Sequence, residues 1–415
     1  MKSQRARYER KLSGVERYSM AINEIHRYNV DALIAGTGII DPDDLRRAVI
    51  TAADANPGVR VRLKSMLGFS KWVDSGIAPE VKVVDIAQWD FSSDEGADFL
   101  KQPFTPMAGG AIADVILVRT QDKVGVVFRN LHAALDGRGV MHWVQEVFRA
   151  LRGRPLLGSD FSLADFEVAE NFRDKLPPQP AKKNPDKKSE NAASETTQIR
   201  YMPVVPPSAT KDDDLQYMWR TVIIPKRITT ILPKAAIYLG KYARRQGDGA
   251  VGFTVPVDYR GLRVDASATG NLTGYLRINV GLDDTPKTVM QQINQQIRDH
   301  VDCRLPLLAK PLRWVPVKLI VNKLKKNSDA LLYTQNAELP TGGLVSMGYA
   351  NLDDYSTPHF KCERGLGIPG SVGKMNIVAV NFSDSTYVTF SVPKNYNREG
   401  QIDRMIDEFV TEFSA

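Results

Sequence analysis

Five of the 415 residues are histidines, few enough to weigh each as a proton carrier, since imidazole is the side chain whose ordinary pKa, about 6.5, lies near neutrality. His132 stands apart by its surroundings. It comes after the apolar run VGVVF and precedes Ala133-Ala134-Leu135-Asp136-Gly137-Arg138-Gly139. A strand therefore delivers the imidazole into a tight turn at the rim of a core. The carboxylate of Asp136, four residues later, can hold the loop or pair with a cation, and Gly137 admits backbone conformations closed to other residues. Such a histidine could take a proton from a hydroxyl or an amine. The same string also suits a capped strand-to-helix turn with a satisfied histidine, and local physics leaves both readings open.

The other histidines are read as structural or surface residues: His26 on the first helix, His142 beside the apolar stripe of a helix over 139–152, His300 near the end of a helix over 285–303, and His359 in a loop. None is spaced with another His, Cys or acid as a metal site requires, so no metal is expected. Two cysteines, Cys303 and Cys362, cannot build a disulfide framework, which points to a reduced, cytoplasmic setting. Net charge is +7, favouring acidic partners in general, but no basic-aromatic cassette points to nucleic acid. No stretch reaches the roughly 18 apolar residues of a membrane-spanning helix. The basic start, MKSQRARYERKLSG, reads as a solvated leader.

The elements that must position His132 follow from periodicity. In the first half, a helical pattern over Glu16–Tyr28 leads into the strand-like DALIAGTGII. Asp41-Pro42 then caps a helix that Asn56-Pro57 ends. VKVVDI, AIADVILVRT and KVGVVFRNLH read as strands, the last two as a pair. The helix after Gly139 carries Val140, Trp143, Val144, Val147 and Leu151 on one stripe. Residues 175–198 hold four prolines and almost no large apolar side chains, too few to repay their ordering, so 175–200 is assigned as a linker between a first subdomain, 1–174, and a second, 201–415. The second half mixes helices (ITTILPKAAIYLGKYARRQ; the stripe Val289, Ile293, Ile297, Val301; a last one through Phe413) with strands at AVGFTVPVDYR, NLTGYLRINV, GLVSMGYANL, KMNIVAVNF and STYVTFSVP. Without regular alternation, the fold class is α+β.

His132-Ala-Ala-Leu-Asp136-Gly137 matches HxxxDG, the signature of the acyltransferase superfamily that includes chloramphenicol acetyltransferase, wax ester synthases, polyketide-associated acyltransferases and nonribosomal peptide synthetase condensation domains. Further segments resemble that superfamily in the same order: LSGVERYSM, GTGIIDPDDLRRAVITAADANPGVRVRLK with Arg60 and Arg62, PFTPMAGG, VPVDYRGL and GNLTGYLRINV. Two departures matter. Leu131 stands where many members carry a first histidine, and the DFGWG string of the plant enzymes is absent, SMGYANLDDY occupying that region.

The resemblance implies two chloramphenicol-acetyltransferase-like mixed-sheet subdomains in a V, with a tunnel between them that admits an acyl thioester and an acceptor from opposite faces. It implies an acyltransferase that moves an acyl group from a coenzyme A or acyl-carrier-protein thioester to a hydroxyl or amine. His132 would be the general base, with no covalent acyl-enzyme and no permanently bound cofactor. Asp136 would be structural, paired with Arg260, and Gly137 would shape the turn. Ser346, Tyr349 and Asn271 lie in segments that resemble tunnel-lining parts and are the candidates for contacting substrate. The alternative is a condensation-like domain without turnover that binds a carrier protein or scaffolds an assembly. A fused pair can build its cleft alone, so a monomer is expected.

Residues 304–326, RLPLLAKPLRWVPVKLIVNKLKK, interleave seven cationic side chains with apolar ones. A solvated helix face, a docking face for an acidic carrier protein or coenzyme A phosphates, and an association with anionic membrane surface all fit this pattern.

Overall fold

The structure, a computed structural model, describes residues 8–64, 69–173, 200–207, 217–260, 267–304, 309–326, 339–370 and 374–415. The proposed linker falls outside them except for Arg200. The first half runs β1 (Glu9–Lys11), α1 (Gly14–Asn23), β2 (Val30–Gly38), α2 (Pro42–Ala55), β3 (Val61–Lys64), β4 (Lys71–Asp74), β5 (Glu80–Asp85), β6 (Ala113–Arg119), β7 (Val124–Asn130), α3 (Gly137–Leu151) and α4 (Asp165–Arg173). The second half runs β8 (Tyr217–Ile224), α5 (Ile231–Arg244), β9 (Gly252–Asp258), β10 (Thr273–Asn279), α6 (Pro286–Arg298), α7 (Ala309–Leu312), α8 (Val317–Lys326), β11 (Gly342–Tyr349), β12 (Phe360–Pro369), β13 (Met375–Asn381), β14 (Thr386–Pro393) and α9 (Gln401–Ser414). No helix among the described residues is long and apolar enough to cross a membrane.

The helices start where their caps dictate. Ser13 and Glu16 form a reciprocal capping box on α1, and Asp41 accepts from the backbone of Asp43 and Asp44 ahead of Pro42. The strands form two mixed sheets and one small one: β12-β2-β7-β6-β5, β10-β9-β11-β13-β14-β8, and β1-β4-β3. Two-residue alternation divides the side chains between cores. On β7, Val126 and Phe128 point to a core shared with Trp143 and Phe148 of α3, while Val127 points to a second core. In that second core, Leu33 and Trp219 meet Val380 and Phe382 where the two large sheets face each other. The far side of the six-stranded sheet is closed by α5 and α9 through Leu239, Ile406 and Phe409.

Three features depart from the sequence reading. The basic leader is not wholly solvated: residues 9–11 form β1 against β4, with Arg10 2% exposed. His26 and His300 lie just past the ends of α1 and α6. Most consequentially, β12 is a strand where none was read, and it joins the sheet of the first half, antiparallel to β2. The basic segment likewise crosses over, since Val317, Ile320 and Val321 of α8 are buried in the first half's core while Lys318, Lys323 and Lys326 face outward. Val317, Ile320 and Val321 are thus inside the protein, while Trp314 and Leu319 of the same segment stay on the surface.

Gly36 pairs with Cys362 beside a bulge in β12, and a Cβ there would lie 1.9 Å from the Lys361 carbonyl oxygen. Gly36→Ala should therefore push β12 off β2 and lower unfolding stability by about 1–3 kcal/mol, read as a reduced denaturant midpoint.

Candidate functional site

The candidate site begins where β7 ends. Leu131 bridges to Asn29 and donates its N–H to the Ile112 carbonyl, and the next N–H, of His132, donates to the Tyr28 carbonyl at 3.2 Å. Ala134 and Leu135 then donate back to the Leu131 carbonyl, at 2.9 and 3.3 Å, so the chain curls as soon as it leaves the sheet. Asp136, in extended backbone, caps α3 by accepting from the Gly139 N–H at 2.8 Å. The turn hangs between a strand and a capped helix, with His132 at its apex.

The imidazole is half-buried and stacks on Tyr28, ring centres 4.9 Å apart. Its Nδ1 is buried with no hydrogen bond of ordinary geometry. Burial pushes the His132 pKa below the ordinary histidine value; the backbone of His132 itself, the Asp136 carboxylate and the backbone of Leu135 oppose that without cancelling it. The neutral, proton-accepting form is favoured.

Asp136 does not orient the imidazole as in a hydrolase triad. Its Oδ2 accepts from Arg260 at 3.0 Å, from the Leu272 N–H at 2.6 Å and from the Thr273 hydroxyl at 3.0 Å. Both partners in the ion pair are 4% exposed. Burial alone would raise the Asp136 pKa, but the charge and hydrogen bond of Arg260, with the N–H groups of Gly139 and Leu272, hold it below the usual carboxylate range. Each nitrogen of Arg260 is hydrogen-bonded, since it donates also to Asp258 and to the carbonyls of Ala268 and Gly270. Gly139 allows this closeness, since a Cβ there would stand 2.2 Å from the Thr269 carbonyl oxygen.

A cavity of about 730 Å³ lies between the two halves. His132, Tyr28, Asp136 and Gly137 line it from the first half, and Tyr275, Ser346 and Met347 from the second. Of the three substrate-contact candidates, Ser346 lines it. Asn271 instead donates its amide to the His132 carbonyl at 3.0 Å, steadying the turn from the second half. Tyr349 is not brought to the cavity: it is 52% exposed with Arg227 over its ring, because β11 breaks register between Ser346 and Tyr349. His142 is tied to Asn56 inside the first core.

Two positioning residues had no clear mark in the sequence. Arg10 donates to the Ala134 carbonyl at 3.0 Å, inside the turn, and is ion-paired with buried Glu16. It sits in a basic string whose charge suggested solvent. Tyr28 follows α1 without any motif. Among the described residues, no group of three His, Cys, Asp or Glu side chains could hold a metal ion.

No family model matches the chain, and no curated protein matches it by sequence. Among solved structures, it is similar to a double mutant of the starter condensation domain of rhizomide synthetase RzmA in complex with C8-CoA and Leu-SNAC, with TM-score 0.64, 13% identity, and coverage of 98% of this chain and 94% of that one. It is also similar to the condensation domain of the Monacolin K polyketide synthase MokA, with TM-score 0.60, 12% identity, and coverage of 98% and 96%. The fold is that of condensation domains, α+β with two chloramphenicol-acetyltransferase-like halves.

Two outcomes are expected. Asp136→Ala leaves Arg260 with Asp258 as its remaining counter-charge but strips the cap of α3 and leaves the Leu272 N–H without its acceptor, and should cost at least about 1–3 kcal/mol of stability, seen as a fall in Tm. Because the His132 pKa is depressed, the neutral ring is lost only as pH falls through a value below 6.5. Any activity carried by His132 should rise with pH to a plateau, with the kcat/KM midpoint on the acid side of 6.5.

Proposed function

We propose that the chain is an acyltransferase that moves an acyl group from a coenzyme A or carrier-protein thioester to an amine or hydroxyl acceptor. The observation that carries this reading is a neutral-favoured imidazole, His132, on the wall of a cavity built from both halves of the chain. The likeness in fold to condensation domains supports it, one of them bound to C8-CoA and Leu-SNAC.

A thioester is already activated, so the protein must hold two reactants in attack geometry and remove one proton. The acceptor N–H or O–H donates to the cavity-facing nitrogen of His132. As the acceptor attacks the thioester carbonyl, its proton passes to the ring. The tetrahedral intermediate then collapses with loss of the thiolate, which takes the proton back. Nothing is oxidised, and the imidazole ends as it began. Donors for the developing oxyanion come from the cavity-lining hydroxyls of Ser346 and Tyr275.

Direct transfer without an acyl-enzyme suits the two cysteines. Both are buried and neither lines the cavity, and burial pushes the Cys362 thiol up to about 12. One chain closes the cavity by itself, in keeping with a monomer whose halves, 1–174 and 201–415, flank the linker.

The test is release of free thiol from a panel of acyl thioesters with amine and alcohol acceptors. His132→Ala should lower turnover by about 10²- to 10⁴-fold while its melting temperature stays at the wild-type value. Undiminished turnover in that variant would overturn the assignment, and a wild-type chain that binds carrier proteins but turns over no thioester would favour the scaffolding alternative.

A further inference from the structure

The basic segment, 304–326, takes no part in lining the cavity. It carries seven Lys and Arg side chains and no Asp or Glu, and the whole chain has a net charge of +7. The remainder of the chain is therefore neutral, and all of the excess charge sits in this one segment. Among the described residues, no carboxylate pairs with Lys318, Lys323 or Lys326.

Helical geometry makes α8 two-sided. Val317, Ile320, Val321 and Leu324 fall on one arc and pack into the first half's core, while Lys318, Leu319, Asn322, Lys323 and Lys326 share the opposite arc and are exposed. Where α8 begins, the surface turns apolar. Trp314, three residues ahead of the helix, is 49% exposed and meets Phe69 edge to face, ring centres 5.3 Å apart. Phe69 reaches it from the segment before β4 and is 70% exposed; Leu319, in the first turn of α8, is 58% exposed. Two segments distant in sequence thus hold their rings in water side by side, a contact surface that gains from being covered.

The chemistry selects a partner that is anionic over an area and apolar beneath. Arginine reads a single carboxylate or phosphate through a fixed fork, whereas lysine offers a point charge on a flexible stem, and the four cations of α8 are all lysines. Tryptophan and phenylalanine at the edge of a lysine field suit the boundary between lipid headgroups and acyl chains, where one end of a ring is wet and the other buried. An acidic protein face supplies the charge without the apolar layer. The helix α1 links this face to the cavity: Arg17 donates to the Val315 carbonyl at 3.4 Å, while Val15, Tyr18 and Ile22, on its other side, line the cavity. A bilayer here would lie one helix away from His132's cavity.

We propose that the outward face of α8, with Trp314 and Phe69 at its N-terminal end, docks the protein on an anionic lipid bilayer, the lysines meeting headgroups and the rings entering the layer below. Trp314 also supplies the reporter, because the other four tryptophans, Trp72, Trp89, Trp143 and Trp219, are buried. The full chain should co-sediment with vesicles of phosphatidylserine and phosphatidylcholine in equal parts but not with phosphatidylcholine alone, and added salt should release it. Binding should shift the tryptophan emission to the blue. Each lysine near an anionic surface is worth about fivefold in affinity, so Lys318→Gln combined with Lys323→Gln should weaken binding by about 25-fold, and Trp314→Ala by about tenfold. All three positions are exposed, and both variants should melt with the wild type. No sedimentation, equal sedimentation with both vesicles, an emission that stays put on binding, or undiminished binding by the lysine variant would overturn the proposal. So would capture of an acidic carrier protein through these lysines by a chain that ignores vesicles. The assay needs no thioester: thiol release without vesicle binding sinks the docking face and leaves the transferase standing, and vesicle binding without thiol release does the opposite.

Discussion

The Asp136 carboxylate is the point on which the two halves hang. Its two oxygens accept from the Gly139 N–H, the Arg260 guanidinium, the Leu272 N–H and the Thr273 hydroxyl, so one side chain caps α3 and grips the second half. Taking a charge out of water is costly, and the cost is met only when the group is fully hydrogen-bonded. Here each member of the ion pair makes four hydrogen bonds, and the result is fixed geometry. With Asn271 holding the His132 carbonyl and Arg10 holding that of Ala134, the turn is clamped from the second half and from the N-terminal segment at once.

That clamp leaves the imidazole free to stay neutral. Asp136 is turned to Arg260, and the ring stacks on Tyr28 with its Nδ1 out of water. A histidine held by a carboxylate tends towards the charged form, while a desolvated one tends towards the neutral form, and the balance at His132 falls on the neutral side. The aspartate beside the histidine thus acts on the frame, while burial acts on the proton.

What the sequence disclosed, and what it hid, divides along physical lines. Residues whose local string dictates their place were legible: the strand into His132, the cap at Asp136, and the paired runs of β6 and β7 with their two-residue alternation. The Asp136–Arg260 contact spans 124 positions and followed from resemblance, since no local pattern carries it. β12 was missed because Gly365, Gly367 and Pro369 with three charged residues, Lys361, Glu363 and Arg364, look like a loop; its extended form comes from pairing with β2, which propensity does not report. Arg10 was misread because a basic string suggests solvent, whereas buried Glu16 draws that guanidinium inward. Tyr349, read only as part of a tunnel-lining segment, lies beyond an irregularity that the sequence of β11 does not announce.

The donation of β12 to the sheet of the first half also bears on how the protein comes into being. The edge of that sheet, β2, stays uncovered until residues 360–369 have been synthesised, almost 200 positions after the last helix of the first half. The nascent first half therefore waits with an open strand edge, exposed to wrong partners, and closes only when residues 360–369 have left the ribosome. The halves are in consequence not interchangeable cassettes: cutting the gene at the linker would strand β12 on the wrong fragment.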